Sequence, residues 1–141
     1  MSRIYWDTNL FIYLLEGEGE RAERVTALLS RIKERGDQLY SSVLTLGEVL
    51  VKPLDQGQTE LAALYEATLS PPVVELVPLD RGCARIYAQL RQDRSLRSPD
   101  AIQLACAASA GCDLFVTNDD RLSRKVAPGI QFIVSLERAP L

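Results

Sequence analysis

The 141-residue chain contains no histidine. That absence excludes Ser-His-Asp and Cys-His nucleophile pairs, imidazole general bases and zinc sites built on imidazole. Cysteine is scarce, and Cys83, Cys106 and Cys112 form an odd set with no C-x-x-C spacing, which argues against a disulfide framework or a zinc ribbon. Cys83 and Cys106 fall on apolar helical faces and read as small buried hydrophobes, so a reducing cytosol is the natural home. No apolar run is long enough to span a membrane, and Met1-Ser2-Arg3-Ile4 lacks the charged-then-hydrophobic pattern of a leader. Neither G-x-G-x-x-G nor G-x-x-x-x-G-K-[ST] occurs, so the phosphate-cradling loops of nucleotide-binding enzymes are missing as well. Any catalysis must use carboxylates, thiols, amines, hydroxyls or a metal.

What remains is an ordinary globular composition, 47% apolar and 25% charged, with a length that suits one domain over residues 1–141. The net charge of -3 counts against a simple nucleic-acid-binding module. Yet 13 of the 16 basic residues are arginine, the side chain suited to forked phosphate contacts, and acids concentrated in one cleft would leave the rest of the surface less negative.

Strand and helix signals alternate along the chain. Ile4-Tyr5-Trp6 is a short β-prone run ending at Asp7, and the apolar residues from Leu10 to Leu15 are too dense for an alternating strand, which predicts a helix. Val25, Leu28, Leu29 and Ile32 mark an amphipathic helix ending near Gly36. Leu39 to Val43 reads as a second strand, followed by a helix capped near Thr45 and stopped before Pro53. Leu61, Leu64, Tyr65 and Leu69 mark the next helical face, closed by Pro71-Pro72. A third strand over Val73 to Val77 precedes a helix with Cys83, Ile86, Tyr87 and Leu90 on its face. Ser98-Pro99-Asp100 predicts a helix start, with Ser98 as cap and Pro99 in the first helical position. The alanine-rich stretch to Ala110 ends at Gly111. Asp113 to Val116, a polar turn with a short helix, and Ile130 to Val134 complete an α/β pattern with a mostly parallel central sheet flanked by helices.

Open sheets of this kind place their sites beyond the carboxyl ends of the strands. Asp7 and Asp119 end the first and fourth strands, Asp100 begins a helix expected to enter at the same end, and Glu48 projects from a largely apolar stretch. Each has an ordinary account taken singly: Asp7 caps a helix, Asp100 complements a helix dipole, Asp119 holds a turn, and Glu48 pairs with Lys52. Those accounts do not explain why all four reach one end of one sheet. Converged carboxylates repel, and keeping several ionised requires a divalent cation; an oxygen-only donor set selects Mg²⁺ or Mn²⁺. The chemistry implied is metal-dependent phosphodiester hydrolysis.

Ile4-Tyr5-Trp6-Asp7-Thr8-Asn9, Thr45-Leu46-Gly47-Glu48-Val49-Leu50, Ser98-Pro99-Asp100-Ala101-Ile102-Gln103-Leu104-Ala105 and Val116-Thr117-Asn118-Asp119 together resemble, in order and spacing, the motifs of PIN-domain ribonucleases, and more narrowly the VapC toxins of type II toxin–antitoxin systems. The resemblance runs from residue 3 to about residue 134. It implies a PIN-like three-layer sandwich and an endoribonuclease using Mg²⁺ or Mn²⁺. Asp7, Glu48, Asp100 and Asp119 match the acidic metal-site positions. Thr8, Asn9, Thr117 and Asn118 match the polar positions beside them. Asp120 is an extra acid next to the fourth position, which leaves open whether it or Asp119 faces the metal. The implied partners are an RNA substrate, a VapB-like antitoxin and a second copy of the chain in a homodimer.

Two other readings compete. A haloacid-dehalogenase-like phosphatase also begins with a strand ending in Asp, but needs D-x-D where this chain has Asp7-Thr8-Asn9. A non-catalytic PIN-fold binding module would have lost its acids, and all four are present. Arg91, Arg94 and Arg97 precede Asp100 and read first as a solvated helical face.

Overall fold

The computed structural model describes residues 1–140. Five strands, β1 (Arg3–Trp6), β2 (Gln38–Ser42), β3 (Val74–Val77), β4 (Leu114–Thr117) and β5 (Phe132–Ser135), form one sheet. Its order is β3-β2-β1-β4-β5, and every neighbouring pair is parallel, so the expected mostly parallel sheet is wholly so. The first strand therefore lies in the middle. β2 and β3 extend to one side of it, β4 and β5 to the other. The strand order reverses there, which opens a crevice beyond the carboxyl ends of β1 and β4.

Among the described residues seven α-helices connect the strands: α1 (Thr8–Glu16), α2 (Glu20–Arg35), α3 (Val43–Asp55), α4 (Thr59–Thr68), α5 (Arg81–Leu90), α6 (Ser98–Ser109) and α7 (Asp120–Ser123). Central strands of a parallel sheet are covered on both faces, so they read as continuous apolar runs. Ile4 and Trp6 of β1 point into one core with Leu10, Phe11, Val25 and Ile32. Tyr5, between them, points into the other with Phe115, Leu104 and Cys106, and its ring stacks on Phe115 at 5.1 Å. These are the three layers expected. All three cysteines are free and buried. Among the described residues no helix is long and apolar enough to cross a membrane.

Several boundaries differ from the sequence reading. Val43 begins α3 instead of ending β2, and the cap is Ser42, whose hydroxyl accepts the Thr45 amide at 3.1 Å. Thr45 is buried inside the helix instead. Pro53 lies inside α3 and does not stop it; the helix ends two residues later, where the missing proline N–H has already removed one bond of the ladder. Ser98 is the first residue of α6, not its cap; Arg97 holds the cap position, and the Ser98 hydroxyl is engaged by Tyr87 and Arg91. In α4 the buried face is Ala62 and Tyr65, followed by Leu69, while Leu64 is exposed. α2 does end at Gly36, whose φ of 70° is the left-handed cap that glycine adopts without strain.

Candidate active site

Asp7 directly follows β1 and caps α1, its Oδ1 accepting the Thr8 amide at 2.7 Å. Its Oδ2 accepts the Thr117 hydroxyl at 2.8 Å, a bond from the end of β4 that fixes the carboxylate over the crevice. Thr117 in turn accepts the Asp119 amide at 3.1 Å. Asp119 caps α7, its Oδ1 taking the amides of Arg121 and Leu122. The capping chemistry of the two strand ends is thus what aims both acids.

Glu48 does not pair with Lys52. Its Oε1 accepts the Thr8 hydroxyl at 2.8 Å and stands 3.4 Å from the side-chain nitrogen of Gln103. Asp100, on the first turn of α6, completes the set. A cavity of about 180 Å³ is lined by all four acids, with Thr8, Asn9, Asn118, Gln103 and Pro99 between them. Asp119 lines it and Asp120 does not. Asn9 donates to Asn118 at 3.1 Å, and Asn118 donates to the Tyr13 hydroxyl at 2.7 Å, which braces one wall.

Burial pushes the Asp7 carboxyl above its ordinary range; the bonds from Thr117 and Thr8 oppose that rise, and the charges of Asp100 and Glu48 add to it. Asp100 is likewise raised, by burial first and then by Asp119, with Arg121 and Arg97 pulling the other way. This is the electrostatic strain that a bound cation relieves. The donors are all oxygen, which fits a hard divalent ion. Among the described residues no three acids stand in a ready-made ligating array. Arg121 lies against two of them, 3.8 Å from both Asp100 and Asp119.

Gln103 is the residue that sequence reasoning passed over. Buried in α6, it accepts from Tyr5 and Ser42 through its oxygen and donates toward Thr8 and Thr45 through its nitrogen, tying the sheet, α1, α3 and α6 together behind Glu48. A lone glutamine in an otherwise alanine-rich helical face was the available signal. A larger cavity of about 490 Å³ shares Glu48 but is walled by Val43, Leu44, Val51, Leu79 and Ile102, with no second acid, so it offers no place for the same chemistry.

Fold and site define an α/β protein with a carboxylate pocket at the switch point of an all-parallel sheet. A model of the PIN domain family matches residues 4–127, and the chain belongs to that family. Among solved structures it is similar to VapBC2 from Rickettsia felis bound to a promoter DNA fragment, with 16% identity, a TM-score of 0.75, and coverage of 94% of this chain and 98% of that one. It is also similar to a toxin–antitoxin complex from Klebsiella pneumoniae (22% identity, TM-score 0.69, 94% and 97% covered). VapBC-5 from Mycobacterium tuberculosis gives 26% identity, a TM-score of 0.60, and 95% and 99% coverage. No curated protein matches the chain.

Proposed function

We propose that this protein is a divalent-metal-dependent endoribonuclease and the toxin of a VapBC-type toxin–antitoxin pair. The observation that carries the reading is the gathering of Asp7, Glu48, Asp100 and Asp119 around one cavity at the end of β1 and β4. Mg²⁺ or Mn²⁺ held there supplies activation of water and neutralisation of charge at the scissile phosphodiester. The chain's own residues arrange the donors. Thr117 and the Thr8 amide hold Asp7, Thr8 and Gln103 hold Glu48, and the α7 cap holds Asp119. Asn9 and Asn118 present amide groups on the cavity wall, suited to orienting phosphate or water.

The similarity to VapBC complexes supports a VapB-like antitoxin as partner. A homodimer belongs to the same reading, and the exposed apolar side chains Val43, Val51 and Leu79 offer a surface for pairing. Three buried free thiols agree with a cytoplasmic location. The phosphatase alternative needs an acid at position 9, where Asn9 instead donates to Asn118.

The test is incubation of total cellular RNA with the purified chain and Mg²⁺ or Mn²⁺, beside EDTA and Asp7→Asn controls. Discrete fragments lost in both controls are expected. Fragments that persist in both would overturn metal-dependent cleavage at this site, and RNA left intact by antitoxin-free, metal-loaded protein would favour the non-catalytic module.

A further inference from the structure

The cation nearest the four acids is part of the chain. Arg121, the second residue of α7, holds one guanidinium nitrogen 3.8 Å from Asp100 Oδ2 and 3.8 Å from Asp119 Oδ2. Among the described residues no other basic side chain comes within ion-pair distance of any of the four.

The backbone sets where this side chain starts. Asp119 Oδ1 accepts the amides of Arg121 and Leu122 at 2.9 and 3.2 Å, so α7 begins by setting this side chain beside the carboxylate that caps it. That cap occupies Oδ1. The oxygen left over, Oδ2, is the one facing the guanidinium. Arg121 is 47% exposed and Asp100 only 22%, so the arginine has a path outward into water that the acid lacks.

We infer that Arg121 is an internal counter-ion beside the pocket, paired with both Asp100 and Asp119, so that a divalent cation binding to those acids would compete with it. The inference rests on the reading of the pocket as a metal site and adds the device that sets its affinity. Close carboxylates left bare repel each other, and a monovalent guanidinium offsets part of that repulsion. A dication and the guanidinium would repel in turn, so each would weaken the other's hold on these acids. Because partly exposed ion pairs are individually weak, the arginine lowers metal affinity without closing the site.

The experiment is titration of the metal-free full chain with Mn²⁺, without RNA, reading free Mn²⁺ by electron paramagnetic resonance. Three proteins are compared: wild type, Arg121→Gln and Arg97→Gln. Arg97 is the control because its charge also reaches Asp100 without pairing with it. Loss of two weak ion pairs is expected to tighten Mn²⁺ binding about tenfold in Arg121→Gln. Arg97→Gln should change it far less. Melting curves in EDTA establish that each variant is folded, and both α7 cap bonds come from backbone amides that the substitution keeps. Equal affinity in wild type and Arg121→Gln, or an equal gain in both variants, would overturn the counter-ion. Absence of Mn²⁺ binding in all three would overturn the metal reading itself, and the inference with it.

Discussion

The hydroxyl of Thr8, on the first turn of α1, donates to Glu48 on α3 at 2.8 Å, joining residues 40 positions apart across the mouth of the cavity. The same oxygen lies 3.0 Å from the Thr45 hydroxyl and accepts from Gln103 at 3.0 Å. Thr8→Val keeps the shape and removes every one of these bonds. With Glu48 in the proposed role of metal ligand, cleavage is expected to fall about 10- to 100-fold, the usual cost of losing a group that orients such a ligand. Thr8→Ser should recover most of it. Turnover measured at saturating Mn²⁺ checks this, and wild-type turnover by Thr8→Val would remove the role.

Asp100→Asn should abolish cleavage while making the metal-free protein more stable. Burial first, and then the charge of Asp119, raise the carboxyl of Asp100 above the ordinary carboxylate range, so the folded state holds that proton more tightly than the unfolded chain does. Stability from this group is then present below the unfolded value and is lost as pH rises through the raised, folded value. Asparagine stays neutral throughout. Melting temperatures in EDTA should therefore show the variant's advantage over wild type growing from about pH 4 towards neutrality. A constant difference across that range would contradict the raised carboxyl, to which burial contributes first and the charge of Asp119 second.

Gln103→Leu should cost stability even though leucine suits a buried helix. Its oxygen accepts the hydroxyls of Tyr5 and Ser42, both fully buried, and leucine leaves them without that acceptor. A loss of about 2 kcal/mol in urea unfolding is expected from stranded buried donors. Because Glu48 loses a neighbour too, cleavage should fall at temperatures where the variant is still folded.

The cysteines should be inert in the native state. Burial pushes the thiols of Cys106 and Cys112 up to about 12, so almost no thiolate exists at pH 8. Ellman's reagent should find little reaction with the folded chain and three thiols in denaturant. Rapid labelling of Cys106 or Cys112 in the native protein would contradict their burial.

Three of the acids were legible because they sit where short-range rules apply, and Glu48 as a charge in a largely apolar stretch. Asp7 and Asp119 follow brief apolar runs and cap what comes next, and Asp100 stands behind Ser98-Pro99. Their convergence followed from parallel topology, since every strand of such a sheet delivers its carboxyl end to the same side. Gln103 stood out only as a lone glutamine in an alanine-rich helix; its role was not legible, because it depends on partners at positions 5, 8, 42, 45 and 48 that no local pattern connects. Arg121 was hidden for the same reason, one arginine among 13 until Asp100 and Asp119 are set beside it. Pro53 misled the boundary of α3, since a proline near a helix end removes a hydrogen bond without clashing enough to stop the last turn.

The central position of β1 bears on how the chain is made. β1 pairs with β4 through Ile4 and Leu114, Tyr5 and Phe115, Trp6 and Val116, contacts about as distant in sequence as the fold contains. During synthesis the first strand emerges early and waits for that partner, and pairings of such separation form slowly. Asp7 leaves the ribosome well before Asp119, with β2, β3 and the helices between them still to be made. A growing or prematurely released chain therefore carries some of the acids but no assembled pocket, and whatever the pocket does begins only when the domain is almost complete.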